Sequence, residues 1–199
     1  MDFMAGLDDN AFDLAIVDPP YGINVGVDFS NEKHEHTKSF VKGYPMKDWD
    51  ESTPNKSYFN ILFRISKNQI IWGGNYFIDY LTNTRCMIFW DKNNGTNNFA
   101  DGEIAWTSFN KSVRKYTQRS IAPGRIHPTQ KPVCLYDWLL QNYATPEMRI
   151  LDTHLGSGSS AISAHYFGCD FVGCEIDKEY FELAQNRFDH ETRQLSLDI

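Results

Sequence analysis

The sequence predicts an α/β domain with a doubly wound, mostly parallel sheet. Short apolar runs at 14–17, 69–72 and 87–90 each stop at polar or Pro/Gly residues, which is typical of strands buried on both faces. A further run at 148–152 leads into a glycine-rich turn and then a helical segment. A strand, glycine turn and helix in that order are typical of nucleotide-binding α/β folds.

Length and charge limit the classes of protein. The 199 residues carry a net charge of −7, which predicts one domain over 1–199 and argues against nucleic-acid binding by the whole surface. No apolar run reaches membrane-spanning length, and the first residues lack the pattern of a signal peptide. We therefore expect a cytoplasmic protein with no membrane partner.

The cysteine and histidine patterns do not predict a metal site. The four cysteines lack CxxC spacing, so buried free thiols are favoured over disulfides or zinc ligands. The segment 34–36 reads His-Glu-His in a polar stretch without a partner cluster, and we interpret it as solvated surface.

The first strand ends at Asp18-Pro19-Pro20-Tyr21. Each proline fixes φ and lacks an N–H, so the turn is stiff and its carbonyls remain free to accept hydrogen bonds. A rigid group of acceptors beside an aromatic ring suits a planar ligand that carries an NH2 group. The same residues could also be only a strand ended by a proline turn.

The next segments alternate loop, helix and strand. Residues 22–55 are polar and contain three glycines, which predicts a mobile loop beside the site. A helix is expected from Thr53-Pro54 through Ile65, and a short helix over 76–81 after the Gly73-Gly74 turn. Residues 104–106 are expected to form another strand.

A basic segment follows. No acidic residue occurs between Glu103 and Asp137, so the segment resembles a phosphate-contacting face, although a solvated face would look the same. The candidate DNA-binding residues in it are Lys111, Arg114, Lys115, Arg119 and Arg125. Beyond them, Leu135, Trp138 and Leu139 predict one face of a helix.

The glycine-rich turn indicates the cofactor. Gly156 and Gly158 precede a helix predicted over 161–167, and the next strand ends at Glu175, where an acidic side chain can bind ribose hydroxyls. The third glycine of the dinucleotide fingerprint is absent. S-adenosylmethionine, which has adenosine without a pyrophosphate, therefore fits better than NAD.

The two motifs together resemble the amino-methyltransferases of DNA, the N6-adenine and N4-cytosine enzymes. Because the catalytic motif precedes the cofactor motif, the chain resembles their permuted β class, and the short phage and orphan methylases in particular. The segments that carry the resemblance are 18–21, 71–77, 89–92, His127-Pro128-Thr129-Gln130-Lys131-Pro132, 152–158 and Glu175. It implies a Rossmann-like fold of the S-adenosylmethionine-dependent methyltransferase type.

The resemblance also implies roles for individual residues. Asp18 and the Pro19 carbonyl, held by Pro20, would accept hydrogen bonds from the target amine, and Tyr21 would stack on a flipped base. The residues implied to bind S-adenosylmethionine are Asp2, Asp18, His127, Thr129, Gln130, Lys131, Asp152, His154, Gly156, Ser157, Gly158 and Glu175.

We therefore predict methylation of adenine N6 in duplex DNA by base flipping, without a metal. Asp in the first motif position favours adenine, because Ser is more usual there among the N4-cytosine enzymes of the family. N4-cytosine methylation, a non-catalytic nucleic-acid binding module and an NAD-dependent oxidoreductase remain alternatives. The predicted target-recognition segment, 109–126, is short, which suggests a brief recognition sequence, low selectivity or help from a second subunit in a homodimer.

The triplet before the glycine turn departs from the family pattern. Thr153-His154-Leu155 stands where the family usually has Pro-Phe-small. His154 is therefore expected either to contact the cofactor or to fill space beside it.

Overall fold

A computed structural model describes residues 2–23, 48–95, 100–119 and 124–193. The strands are β1 (Phe12–Val17), β2 (Ser66–Trp72), β3 (Met87–Asp91), β4 (Gly102–Thr107), β5 (Arg114–Thr117), β6 (Arg149–Asp152) and β7 (Asp170–Gly173). The α-helices are α1 (Asp2–Ala5), α2 (Lys56–Ile65), α3 (Val133–Tyr143), α4 (Ser159–Phe167) and α5 (Lys178–Glu191). Short 3₁₀ helices span Asp48–Asp50 and Gly74–Tyr76.

The strands form one seven-stranded sheet in the order β5-β3-β4-β2-β1-β6-β7. β1 pairs in parallel with β2 and β6, and β4 is antiparallel to both of its neighbours. The predicted α/β fold with a mostly parallel sheet is confirmed. The C-terminal ends of the parallel strands share one edge of the sheet, here called the catalytic edge, which is where such folds bind ligands.

Helices cover both faces of the sheet, and successive side chains of each buried strand pack against opposite faces. On β1, Leu14 and Ile16 pack with α3 and α4 in one cluster, whereas Ala15 and Val17 pack with α2 in the other. This is why the strand reads as a continuous apolar run. Both faces of β1 are core, and the site begins where that core ends.

Several elements differ from the sequence expectations. α2 begins later than predicted, because the Asn55 side chain accepts hydrogen bonds from Ser57 N and Tyr58 N and so caps the helix after Pro54. The helix predicted over 76–81 is a single 3₁₀ turn, Gly74–Tyr76. Ile78 is 69% exposed and only Phe77 of that stretch is fully buried, so no apolar face stabilises a longer helix.

The remaining differences lie in polar segments. Strand β5 falls inside the basic segment and pairs in parallel with β3 at the edge of the sheet. Tyr116 anchors it by packing against Trp138 and by donating a hydrogen bond from its hydroxyl to the Cys134 carbonyl. α1 and α5 were not predicted either.

Other expectations have the following outcomes. All four cysteines are free thiols. Most of the loop predicted over 22–55, including His34 and His36, lies outside the described residues. Within the described ranges, no helix is both long and apolar enough to cross a membrane.

Candidate active site

The turn after β1 is held by a buried carboxylate that the sequence did not reveal. Asp50, 2% exposed, accepts hydrogen bonds through Oδ1 from Tyr21 N at 2.8 Å and Gly22 N at 2.9 Å. The Tyr21 hydroxyl in turn donates to Asp18 Oδ1 at 2.7 Å. The predicted catalytic residues are therefore held at two points. Asp50 binds the backbone at Tyr21, and the Tyr21 phenol binds the Asp18 carboxylate.

A network of charged side chains surrounds Asp18. Lys131 Nζ lies 2.5 Å from Asp18 Oδ2 and 2.9 Å from Glu103 Oε2. Lys92 Nζ lies 2.7 Å from the other Glu103 oxygen, Oε1. Glu103 was not among the predicted site residues, because nothing local distinguishes one acidic residue at the start of a strand.

Burial and charge shift the pKa values in this network. Burial, together with the charge of Glu103, raises the pKa of Asp18 against the opposing effect of Lys131. Burial would also raise the pKa of Glu103, but Lys131 and Lys92 outweigh it and lower that pKa to about 2. Burial and the nearby carboxylates raise the pKa of Tyr21, so its phenol remains a donor.

The ring of Tyr21 packs against the turn that follows β2. It stacks on Tyr76 with centroids 4.8 Å apart and planes 13° from parallel. Gly73 has φ +68°, and a Cβ at that position would lie 2.2 Å from Tyr21 Cε1. Glycine is therefore required here both for its backbone conformation and for the space that the ring occupies.

The glycine-rich turn follows β6 at the same edge. Gly156 N donates to Glu175 Oε2 at 2.8 Å, so the turn and the end of β7 are tied together. Asp152 is buried and accepts hydrogen bonds from Ser160 Oγ at 2.6 Å and His154 N at 3.0 Å. Burial raises the pKa of Asp152 to about 7.

The segment 127–131 closes against this turn. Ser159 Oγ donates to the Lys131 carbonyl at 2.7 Å, and a Cβ on Gly156 would lie 3.9 Å from the His127 ring. Thr129 Oγ1 hydrogen-bonds with His127 Nδ1. The Gln130 side chain accepts a hydrogen bond from Ile126 N. In this structure these two side chains shape the segment.

Two further side chains support the turn. Arg187 of α5, absent from the predicted set, donates from one nitrogen to the Ser157 carbonyl at 3.0 Å and to Ser159 Oγ at 2.9 Å. His154 packs edge-on against Tyr58 and hydrogen-bonds with Thr153 Oγ1 at 2.9 Å. Burial lowers the pKa of His154 to about 4, so its imidazole is neutral where it packs beside the glycine-rich turn. The Asp2 side chain lies outside the described residues.

The predicted DNA-binding residues are spread along 111–125, and their role stays a prediction. Lys111 Nζ donates to the Asn142 carbonyl at 2.8 Å, at the end of α3, and Arg114 begins β5. Lys115 pairs with Asp91 at 2.7 Å. Arg119 is exposed and follows β5 on the side of the catalytic edge, whereas Arg125 is only partly exposed. The segment thus runs from the opposite edge of the sheet toward the site.

Across the described residues, no group of three or more His, Cys, Asp and Glu side chains is arranged to hold a metal ion.

Comparisons with known proteins identify the family and the fold. A model of the DNA methylase family matches residues 71–186, more than half of the chain. The type II methyltransferase M2.MboI of Moraxella bovis is 24% identical over 241 residues, covering 96% of this chain and 85% of that protein.

Solved structures show the same fold. TTHA0409 of Thermus thermophilus, a putative DNA modification methylase complexed with S-adenosyl-L-methionine, superposes with a TM-score of 0.62 at 15% identity. The alignment covers 96% of this chain and 91% of that one. PvuII DNA methyltransferase, which is cytosine-N4-specific, has a TM-score of 0.59 at 12% identity, with 93% and 82% covered. The family match over more than half of the chain shows that it belongs to the DNA methylase family of N6 and N4 methyltransferases.

Proposed function

We propose that this protein transfers a methyl group from S-adenosylmethionine to the exocyclic N6 of adenine in duplex DNA. One observation carries the proposal: the rigid acceptor turn and the glycine-rich turn end adjacent parallel strands, β1 and β6. Lys131 joins them, because its ammonium binds Asp18 and its carbonyl accepts a hydrogen bond from Ser159. An amine acceptor and a candidate cofactor turn are therefore held at the same edge.

The residues at the glycine turn fit S-adenosylmethionine. Gly156 has φ +54° and no side chain, so backbone can approach a ligand closely there. Each oxygen of Glu175 accepts one backbone N–H, from Gly156 or Asp177, which leaves lone pairs for ribose hydroxyls. Asp152 would bind the ammonium of the methionine portion as a carboxylate, since its pKa of about 7 would fall when a cation binds beside it.

The chemistry then follows from the acceptor turn. S-adenosylmethionine supplies a methyl group on a positively charged sulfur. Asp18 and the Pro19 carbonyl would accept the two N–H groups of the target amine, which draws electron density toward the nitrogen as it forms its bond to the methyl carbon. The carbon–sulfur bond would break with its electron pair on sulfur, giving S-adenosylhomocysteine. The methylated nitrogen would then lose one proton to the Asp18 carboxylate, from which the proton would pass to water.

The target base would have to leave the duplex. An exocyclic amine cannot reach a recessed carboxylate while it is base-paired, so a flipped base stacked on Tyr21 is the arrangement that suits this site. Arg119 is exposed and follows β5 at the same edge, and it would contact a DNA phosphate.

Adenine is favoured over cytosine by Asp18 in the first position of the motif. N4-cytosine methylation is the second candidate, since both amines present the same two N–H groups and the cytosine-N4-specific PvuII enzyme shares this fold. A module that binds nucleic acid without catalysis is the third.

The test is transfer of labelled methyl from S-adenosylmethionine to unmethylated duplex DNA, followed by nucleoside digestion and mass spectrometry. N6-methyladenine is expected. N4-methylcytosine would keep the mechanism and change the base. Cofactor binding without label in any nucleoside would favour the non-catalytic module.

Two variants at the two ends of β1 sharpen the test. Asp18→Ala is expected to abolish transfer while S-adenosylmethionine still binds, because Lys131 keeps Glu103 as a partner. Asp13→Asn is the matched control, since Asp13 also pairs with a lysine, Lys67, but at the opposite end of β1. Full activity in the Asp18 variant would contradict the proposed mechanism.

A further inference from the structure

We propose that Glu103 is a positioning residue that neutralises Lys131, so that Asp18, Lys131 and Glu103 together keep one net negative charge beside the target amine. This inference rests on the proposed function and concerns a residue that the sequence motifs did not indicate. It assigns a purpose to the antiparallel strand β4, which brings Glu103 to the catalytic edge.

The geometry places Lys131 between two carboxylates. Its ammonium lies 2.5 Å from Asp18 and 2.9 Å from Glu103, and the side chain is only 3% exposed. The Tyr21 hydroxyl also reaches both carboxylates, at 2.7 Å from Asp18 and 3.3 Å from Glu103. Glu103 thus shares both of the donors that hold Asp18.

The reaction explains why a second carboxylate is useful. A neutral amine that accepts a methyl cation becomes positively charged until it loses a proton, so the site must stabilise positive charge. Asp18 paired with Lys131 alone would have no net charge to offer. With Glu103 included, the three groups carry one net negative charge beside the amine.

Lys92 does not cancel this charge to the same extent. It binds the opposite oxygen of Glu103, and its side chain is 18% exposed, six times the exposed fraction of Lys131. Water therefore screens Lys92 more effectively than the buried Lys131. Asp18 pairs with Lys131, so the charge of Lys131 is the one that Glu103 must balance for Asp18.

The experiment is a comparison of kcat and its pH dependence for Glu103→Gln, an isosteric change that keeps an acceptor for Lys131. We expect kcat to fall about tenfold or more, which corresponds to one pKa unit of differential interaction, while the Kd for S-adenosylmethionine stays within about twofold of the original. Because the Glu103 charge raises the pKa of Asp18, the acid limb of the kcat profile should also move to lower pH.

A double variant separates charge from structure. Lys131→Met combined with Glu103→Gln removes one charge of each sign. Because Lys131 lowers the pKa of Asp18, the two variants are compared on the alkaline plateau of their kcat profiles, where Asp18 is ionised, and there the double variant should be faster than Glu103→Gln alone. A residue that only supports the fold would give no such recovery. Asp13→Asn serves as the control for loss of a lysine-paired carboxylate and should retain the original kcat and pH profile.

The outcomes distinguish this inference from the proposed function. If the protein without substitutions methylates no nucleoside, that result contradicts the proposed function. An active protein whose Glu103→Gln variant keeps its kcat, or whose double variant is no faster than that single variant, overturns the role of Glu103 and leaves the proposed function standing.

Discussion

Replacing Gly73 by alanine tests whether the turn after β2 and the ring of Tyr21 form one unit. The added Cβ would lie 2.2 Å from Tyr21 Cε1, whereas ordinary contacts begin at 3.4 Å. The ring or the turn must therefore move by about 1 Å. Either movement disturbs the hydrogen bond from Tyr21 to Asp18 and the stacking on Tyr76.

The size of the effect follows from three contributions. An alanine at φ +68° costs about 1–2 kcal/mol relative to glycine. Loss of the aromatic pair adds about 0.5–1.5 kcal/mol, and loss of a hydrogen bond to a carboxylate adds about 1.5–3 kcal/mol. We expect the free energy of unfolding to fall by about 3–6.5 kcal/mol if all three contributions apply in full.

Gly168→Ala provides the matched control. Gly168 also has a positive φ, +82°, but a Cβ there would meet nothing within 4 Å. This variant should lose only the backbone contribution, about 1–2 kcal/mol, and should keep its methyl transfer activity.

The assay is urea unfolding followed by tryptophan fluorescence, with methyl transfer measured on the same samples. Gly73→Ala should have the lower unfolding midpoint and little activity, while its affinity for S-adenosylmethionine remains. Equal stability of the two variants, or full activity of Gly73→Ala, would show that Tyr21 does not depend on this turn.

Three further results are expected. Burial raises the pKa of Asp152 in the folded state from 3.8 to about 7. The group therefore stabilises the fold at pH values below 3.8, and this stabilisation is lost as the pH rises toward about 7. Asp152→Asn should flatten the pH dependence of urea unfolding over that range. Arg119→Glu should weaken DNA binding and reduce its salt dependence, whereas Lys111→Glu should have a smaller effect, both measured by fluorescence anisotropy at two salt concentrations. Arg187→Met should weaken S-adenosylmethionine binding by about 2- to 10-fold in calorimetry, because the Ser157 carbonyl loses its donor; an unchanged Kd would assign Arg187 to the fold alone.

The sheet was predictable because its strands are short apolar runs with abrupt ends. The apolar runs end at Val17, Trp72, Trp90 and Leu151, and the residues that follow them end a strand or begin a turn. The strands and their common edge therefore follow from local signals. The edge strand β5 has no such signal. Its residues are mostly exposed, and pairing with β3 determines its conformation.

The site was predictable where a motif is contiguous. The turn after β1 and the glycine-rich turn are each formed by a few consecutive residues. Asp50 is one of three acidic residues in 48–51, and Glu103 follows Asp101 by two residues. Nothing local distinguishes either from its acidic neighbours, and only the tertiary structure brings them to the turn after β1. Arg187 similarly acts across the gap between α5 and the glycine turn.

The distances along the chain between the charged partners have a consequence for folding. Asp18 and Lys131 are 113 residues apart, and Tyr21 and Glu103 are 82 residues apart, so no local segment can assemble the site. Until β1, β4 and the segment before α3 have all docked, these side chains stay hydrated and separate. Methyl transfer is thus expected to return only with the last kinetic phase of refolding, after most helical and fluorescence signals have recovered.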